Sequence, residues 1–172
     1  MVATTQAHAA EAAKRVSHRW LVLRAAPLML GVRRLAGMNR EYLNNIIDSY
    51  VVRKKRPRFR ELMAASRRYS QFLDELLHDP RNFEAATVYK LADDERTVGA
   101  VLRLLRALGA NDNAYIVGDC RTYDDGATGV LHRLLEDCVG SQTEALVYCP
   151  SANVAYYEGH EGFGYILSPG AR

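Results

Sequence analysis

The segment that most constrains the fold is residues 146–167, which read LVYCPSANVAYYEGHEGFGYIL. Its apolar start predicts a short strand that ends at a polar corner. The Tyr-Tyr-Glu triplet is expected on a short helix, and the following Gly-Phe pair is expected to open another strand. This order places a tyrosine beside the carboxyl end of a strand, where open α/β sheets bind their ligands.

Size and composition favour one domain. The chain has 172 residues, of which 48% are hydrophobic and 25% are charged, enough for one sizeable core but not for two. The longest apolar run, residues 20–29, contains Arg24 and Pro27 and is shorter than the roughly 20 residues of a membrane helix. We therefore expect no membrane span.

The cysteine pattern gives no sign of a disulfide or zinc framework. The three cysteines, Cys120, Cys138 and Cys149, are odd in number and lack CxxC spacing. Cys120 is a candidate reactive thiol, although a small buried apolar role explains it as well.

Charge is distributed unevenly along the chain. Residues 1–80 hold 15 basic and 7 acidic residues, a net charge of +8, whereas residues 81–172 hold 8 and 13, a net charge of −5. The densest basic cluster of the first half consists of Arg53, Lys54, Lys55, Arg56, Arg58 and Arg60. This cluster predicts contact with RNA or with an acidic partner, and a solvated basic face is the alternative.

The first 19 residues form a separate compositional segment. They are rich in alanine and basic residues and contain a single acid, Glu11. Organellar transit peptides have this composition, and an uncleaved basic helical arm fits equally well. Both a mitochondrial matrix and a cytoplasmic location remain open.

Periodicity along the chain changes from helical to strand spacing near Phe83. Apolar residues recur at helical spacing in residues 28–38, 41–52 and 61–77, with Asn39 as a cap and Pro57 as a break. VLHRLLEDCV predicts a further helix that ends at Gly140. The expected strands are residues 20–26, AATVYKL, VGAVLRLLRAL, AYIVGDC and ALVYC. Because Leu and Arg favour helices, VGAVLRLLRAL is also compatible with a helix.

The order of these elements resembles the GNAT superfamily of N-acetyltransferases over residues 20–167. LVLRAAP is similar to the opening strand of the family, TVGAVLRLL to its strand with a Val-Gly pair, AYIVGDCRT to its central strand, and YYEGHEGF to its ending. The resemblance implies an α/β (α+β) domain over residues 20–172, with a mostly antiparallel sheet flanked by helices and a basic helical N-terminal region. It also implies that residues 114–120 and Ala145–Cys149 are neighbouring, splayed parallel strands that admit acetyl-CoA.

The loop YDDGATG occupies the place of the cofactor loop of the family. In such a loop, backbone amides and a helix N-terminus bind the pyrophosphate. The resemblance assigns this role to Gly126, Thr128 and Gly129, with Arg121 nearby. Asp124 and Asp125 oppose it, because two carboxylates repel an anion.

The resemblance also implies catalytic roles for residues near the C-terminus. Tyr157 is the candidate acid for the departing thiolate, with Tyr156 as the alternative, and both tyrosines also fit a packing role. Asp119 is the first candidate for the base, Glu158 is the second and His160 a distant third. Asp119 would equally well cap a turn.

Asn153 is expected to orient the pantetheine arm of the cofactor, or to shape the corner after the strand. Its place in the polar corner of residues 150–153 fits both roles.

Two functions follow from these patterns. The first is a non-catalytic structural subunit of a larger, mitochondrial or other, protein assembly. The altered loop, the acidic C-terminal half and the few residues after Phe163 favour it, since a missing last strand leaves an open edge for other protein subunits. The alternative is an acetyl-CoA-dependent N-acetyltransferase that acts on an amine of a protein or small molecule.

Overall fold

Five α-helices and six β-strands form within residues 38–170, the part of the chain that the computed structural model describes. The helices are α1 (Arg40–Tyr50), α2 (Arg56–Ala64), α3 (Tyr69–His78), α4 (Val98–Ala107) and α5 (Leu131–Cys138). The strands are β1 (Val88–Lys90), β2 (Asn113–Val117), β3 (Thr128–Val130), β4 (Ala145–Cys149), β5 (Val154–Glu158) and β6 (Gly164–Leu167).

The six strands form one sheet in the order β1-β6-β5-β4-β2-β3, and every neighbouring pair is antiparallel. Its centre is a meander of the consecutive strands β4, β5 and β6. The three-residue strands β1 and β3 are its edges. The predicted fold class, an α+β domain with a mostly antiparallel sheet flanked by helices, is confirmed.

Helices pack on both faces of the sheet. Helices α1, α2 and α3 share one core with alternate residues of the strands, among them Tyr115, Leu146 and Tyr157. Helices α4 and α5 share a second core with the intervening residues, such as Ile116 and Val147. Because both faces are covered, all residues of β4, β5 and β6 are buried, which explains their continuous apolar pattern.

Helix α1 forms as its sequence predicts. The side chain of Asn39 accepts a hydrogen bond from the amide of Tyr42, which satisfies one orphan donor of the first turn. Leu43, Ile46 and Ile47 lie on one face and are 0% exposed. Burial of each such side chain stabilises the fold by about 1.5–3 kcal/mol relative to exposure.

The single helix predicted over residues 61–77 is wrong, because two helices occupy this region. Pro57 lies in the first turn of α2 rather than between helices, a position where its missing amide costs nothing. Ala65 then adopts an extended conformation, with φ −89° and ψ 100°, and ends α2. A single 3₁₀ turn, Ser66–Arg68, leads into α3.

The strand predicted for VGAVLRLLRAL is also wrong, and the helical alternative is correct. Thr97 caps α4 by accepting a hydrogen bond from the amide of Ala100. Val101 and Leu105, four residues apart, are 0% exposed and pack against the sheet. The cap and this spacing together stabilise a helix.

The short helix predicted for the Tyr-Tyr-Glu triplet does not form. Residues Val154–Glu158 form the central strand β5, which pairs with β4 and β6. β6 is the strand predicted after the Gly-Phe pair, and no further strand follows it up to residue 170. β1 pairs with its other side, so the edge that a missing last strand was expected to leave open is covered by this chain.

The parallel pair expected at the cofactor wedge is wrong in direction. β2 and β4 are neighbours, as predicted, but they are antiparallel, with Tyr115 opposite Tyr148. The strand β3 explains the difference, because it reverses the chain after β2. Helix α5 therefore connects β3 to β4, and these two strands run in the same direction on opposite sides of β2.

Several predicted elements lie outside the described residues. These are the basic arm of residues 1–19, the first strand at 20–26 and nearly all of the helix at 28–38. Within residues 38–170, no helix is long and apolar enough to cross a lipid bilayer.

Candidate functional site

Tyr157, the predicted catalytic acid, lies in the middle of β5 and is 0% exposed. Its hydroxyl donates a hydrogen bond to the carbonyl of Leu77, in the last turn of α3. Its ring packs between Phe83 and Tyr165, with ring centroids 5.4 and 5.6 Å away. Burial raises the pKa of this phenol well above its ordinary value, so the group holds its proton firmly.

Asp119, the predicted base, lies in the loop between β2 and β3 and is exposed. Its Oδ1 accepts a hydrogen bond from the amide of Asp125 at 3.0 Å. Since β4 lies between β2 and β5, the strand that carries Tyr157 lies about 10 Å from the strand that Asp119 follows. The structure therefore does not bring the predicted acid and base together.

The predicted cofactor loop is folded back on the sheet. Gly126 has φ +86° and donates its amide hydrogen to the carbonyl of Ile116 at 3.0 Å. The amide of Ala127 bonds to the carbonyl of Asp124 at 3.1 Å. The loop amides that would hold a pyrophosphate thus bond within the hairpin.

The other predicted cofactor residues lie around this hairpin. Thr128 and Gly129 belong to β3 and lie opposite Tyr115 and Ala114 of β2. Arg121 donates through Nη2 to the carbonyl of Gly140 at 3.1 Å, which links the loop to the end of α5.

Asn153 shapes the turn between β4 and β5 and has φ +50°. Its Oδ1 accepts from the hydroxyl of Tyr148 at 3.0 Å, and its Nδ2 donates to Oγ of Ser49 at 2.8 Å. Its carbonyl accepts from the hydroxyl of Tyr50. Asn153 therefore fastens the turn to helix α1.

Three buried carboxylates are bonded to neighbouring loops and side chains. Asp125 accepts from the amide of Gly118 and from the hydroxyl of Tyr69, at 2.8 and 2.9 Å. The other two carboxylates hold loops in the same way: Asp137 accepts from Thr122 and Tyr123, and Glu158 accepts from Gly140, Gln142 and Tyr156. Burial, and then the bond to Glu158, raise the pKa of Tyr156 well above its ordinary value.

The two buried cysteines have the environment of structural thiols. All three are free, and Cys138 and Cys149 are buried. Burial raises the pKa of Cys149 to about 12. A hydrogen bond with Cys120, followed by burial, raises the pKa of Cys138. Because the thiolate is the reactive form of cysteine, and neither buried thiol is ionised at neutral pH, both are unreactive.

The predicted RNA-binding cluster bonds largely to its own domain. Arg58 makes a bidentate pair with Glu75, at 2.7 and 2.8 Å, and holds the pKa of that carboxyl below its usual range. The side chains of Lys55, Arg56 and Arg60 bond to Asn82, the Val51 carbonyl and Asp48. The two ion pairs, of Arg58 with Glu75 and of Arg60 with Asp48, reduce the charge available to phosphates. RNA contact stays a prediction.

A cavity of about 400 Å³ opens beside the buried Tyr157. The end of α3, the turn between β5 and β6, and the start of β6 surround it. Its polar walls include an ion pair between Asp79 and Arg81, with Nε 3.0 Å from Oδ1. The lining residues are His78, Asp79, Pro80, Arg81, Tyr157, Gly159, His160, Glu161, Phe163 and Tyr165.

Two histidines on the rim of this cavity share one carboxylate. Nδ1 of His78 lies 2.8 Å, and Nδ1 of His160 lies 3.1 Å, from the same Oε1 of Glu144. The two imidazole rings stack, with centroids 4.8 Å apart and planes 6° from parallel. One ligand atom from each of the three residues lies within 4.8 Å of the others, so this cluster has the donors to hold a metal ion.

Sequence reasoning named His160 only as a distant candidate base and did not single out His78 or Glu144. The two histidines and the glutamate come from α3, from the residue before β4 and from the turn after β5. No local spacing connects them, because the sheet topology brings them together.

No family model, curated protein or solved structure matches this chain. The resemblance to N-acetyltransferases therefore stays an expectation from the sequence, and its order of elements differs from the structure at α4 and β5.

Proposed function

We propose that this domain is a non-catalytic subunit of a larger protein assembly. The observation that carries the proposal is the bond between the Tyr157 hydroxyl and the Leu77 carbonyl, inside the core. A catalytic acid must reach the leaving group, whereas this phenol faces the end of α3. Its raised pKa further opposes proton transfer at neutral pH.

The surroundings of the predicted cofactor site support the same conclusion. An acetyl-CoA site needs loop amides that are free to bind an anion. Here the amides of Gly126 and Ala127 serve the β2–β3 hairpin, and Asp124 and Asp125 lie in the same turn. The antiparallel pairing of β2 and β4 also replaces the splayed parallel strands between which the cofactor was expected.

Docking to another protein is supported by the edge strand β1. It pairs with β6 on one side only, within the part of the chain that the structure describes. Tyr89, in its centre, is 47% exposed. An unpaired strand edge accepts an extended segment of another chain through main-chain hydrogen bonds, which is the contact we propose for β1.

Titration with acetyl-CoA tests the proposal against the acetyltransferase alternative. We expect no saturable heat from calorimetry up to millimolar acetyl-CoA, and no thermal shift. Saturable binding that the Thr128→Glu variant abolishes would overturn the proposal, because Thr128 is exposed on β3 and its replacement leaves the core intact. The Gly170→Glu variant is the control, since no atom lies within 4 Å of a Cβ built there.

Sedimentation of the full chain from its own cells tests the assembly directly. We expect it to migrate with a mass several times that of the 19.3 kDa chain. A monodisperse monomer in the cell extract would contradict the proposal.

A further inference from the structure

We propose that His78, Glu144 and His160 form a binding site for a divalent transition-metal ion, and that Zn²⁺ is the best match. Two imidazole nitrogens and one carboxylate oxygen are a donor set that zinc uses in proteins. Imidazole ligands disfavour Mg²⁺ and Ca²⁺, which prefer oxygen donors alone.

The distances between the donor atoms are close to those of a zinc site. Zinc–ligand bonds of about 2.0–2.2 Å in a tetrahedron place neighbouring ligand atoms roughly 3.4 Å apart. The two observed separations, 2.8 and 3.1 Å from Oε1 of Glu144, are a few tenths of an ångström shorter. Because the ring planes are 6° from parallel, the two imidazoles must rotate out of the stack so that both Nδ1 lone pairs point to the ion.

Hydrogen bonds alone would also hold this arrangement, provided that each Nδ1 carries a proton and donates it to Glu144. When a metal binds at Nδ1, the proton of each neutral imidazole moves to Nε2, since a nitrogen that binds zinc must be deprotonated. The three side chains are thus held together before a metal binds.

The charges around the site favour a cation. Glu161 lies with Oε1 3.9 Å from Nε2 of His160, on the side away from Glu144. This distance is too long for a hydrogen bond, but the carboxylate adds negative charge beside the ring. Asp79 and Arg81, the other charged groups on the cavity wall, neutralise each other.

The site is accessible and has room for a further ligand. The side chains of His78, Glu144 and His160 are 67%, 27% and 46% exposed. Three protein donors leave the fourth tetrahedral position open, and the adjoining cavity of about 400 Å³ supplies space for water there. A bound ion would also link the end of α3 to the start of β4 and the β5–β6 turn.

The test uses the full chain without an affinity tag, after treatment with a chelator. We expect calorimetry to find one Zn²⁺ per chain with a micromolar or tighter Kd. The melting temperature should rise by about 5 °C or more at saturating zinc. Co²⁺ should give the visible absorption of a tetrahedral nitrogen–oxygen site.

Variants identify the ligands. His78→Ala, His160→Ala and Glu144→Gln should each lower zinc affinity by at least tenfold, because each removes one of the three donor atoms. The matched control is His132→Ala on α5, because His132 is 48% exposed and lies 3.9 Å from its own carboxylate, Glu136. The zinc affinity of His132→Ala should equal that of the wild type.

Two results would overturn the proposal. One is the absence of zinc binding up to millimolar concentration in a chain that circular dichroism shows to be folded. The other is an equal loss of affinity in His132→Ala and His160→Ala, which would mean that zinc binds exposed histidines in general. Neither result depends on whether the domain joins an assembly.

Discussion

The hydroxyl of Tyr157 on β5 donates a hydrogen bond to the carbonyl of Leu77 on α3, across 80 positions of sequence. The bond fastens the C-terminal end of α3 to the centre of the sheet. Carbonyls in the last turn of a helix have no partner within the helix, so this phenol satisfies an otherwise orphan acceptor. The tyrosine that most resembled a catalytic acid thus has a structural use.

We expect Tyr157→Phe to lower the free energy of unfolding by about 1–2 kcal/mol, because the Leu77 carbonyl then loses its buried partner. Urea denaturation measures the loss. The control is Tyr89→Phe on β1, which removes an exposed hydroxyl that pairs with Glu95 and should cost less than about 0.5 kcal/mol. Equal losses in the two variants would contradict the proposed role of Tyr157.

Gly118 occupies a position that no other residue fits. Its φ is +88°, and a Cβ there would lie 2.6 Å from both the carbonyl oxygen of Glu144 and Cδ1 of Leu77. The loop after β2 therefore passes close to the start of β4 and the end of α3. Backbone atoms cannot move aside as a flexible side chain can.

Gly118→Ala should destabilise the domain by about 3 kcal/mol or more, from the left-handed backbone and the two collisions together. Gly140→Ala is the matched control, since Gly140 has φ +69° and no atom within 4 Å of a built Cβ. Gly140→Ala should lower the free energy of unfolding only by the cost of the left-handed backbone, about 1 kcal/mol. Urea unfolding of both variants checks the difference, and a loss at Gly118 no larger than at Gly140 would show that the loop can move away.

Local signals predicted the elements that do not depend on distant neighbours. Asn39 and the spacing of Leu43, Ile46 and Ile47 were sufficient for α1, and the run ALVYC was sufficient for β4. For α4, the cap at Thr97 was present in the sequence, but the position of the segment between a polar turn and the turn at residues 109–113 favoured a strand.

Sheet topology could not be predicted from the same signals. The pattern of the YDDGATG loop favours a direct connection from strand to helix, which would make β2 and β4 parallel. The three residues of β3 add one reversal of the chain and change that direction. Such a short edge strand has no periodicity to detect, because it depends on pairing with β2.

The histidine cluster illustrates the same limit for the site. His78 and Glu144 lie 66 positions apart, and neither stands in a motif. Their approach follows from the packing of α3 against the sheet beside β4.

Stability should fall at alkaline pH because the fold buries tyrosine hydroxyls. Burial is the main cause that raises the pKa of Tyr115 to about 12, from an unfolded value of about 10. The folded state favours the neutral phenol. The stability that Tyr115 contributes is therefore fully present below pH 10 and is lost as the pH rises from about 10 to 12. Below pH 10, Tyr115 makes no contribution to the pH dependence of the free energy of unfolding.

Tyr115→Phe should reduce the slope of stability against pH in this window by up to about 1.4 kcal/mol per pH unit. Urea unfolding at pH 9, 10 and 11 measures the slope. The variant also loses the hydrogen bond from the Asn39 amide, which should lower stability equally at every pH below 10. An unchanged slope would mean that Tyr115 ionises as readily in the folded state as in the unfolded one.

The last prediction concerns the edge strand β1. The bonds from the Leu91 amide to the Gly164 carbonyl and from the Ser168 amide to the Thr87 carbonyl show which residues face β6. Because the pattern alternates, the amide of Lys90 points away from the sheet. Proline at this position removes a donor that a docking strand would use and leaves the pairing with β6 intact.

We therefore expect Lys90→Pro to abolish migration with the assembly in sedimentation while changing the free energy of unfolding by less than about 1 kcal/mol. Lys90→Ala is the control, since it retains the outward amide and loses the same contact of Nζ with the Phe163 ring, 3.6 Å from the centroid. It should still join the assembly. If Lys90→Pro sediments like the wild type, the partner docks on another surface, because an added strand at β1 needs this amide.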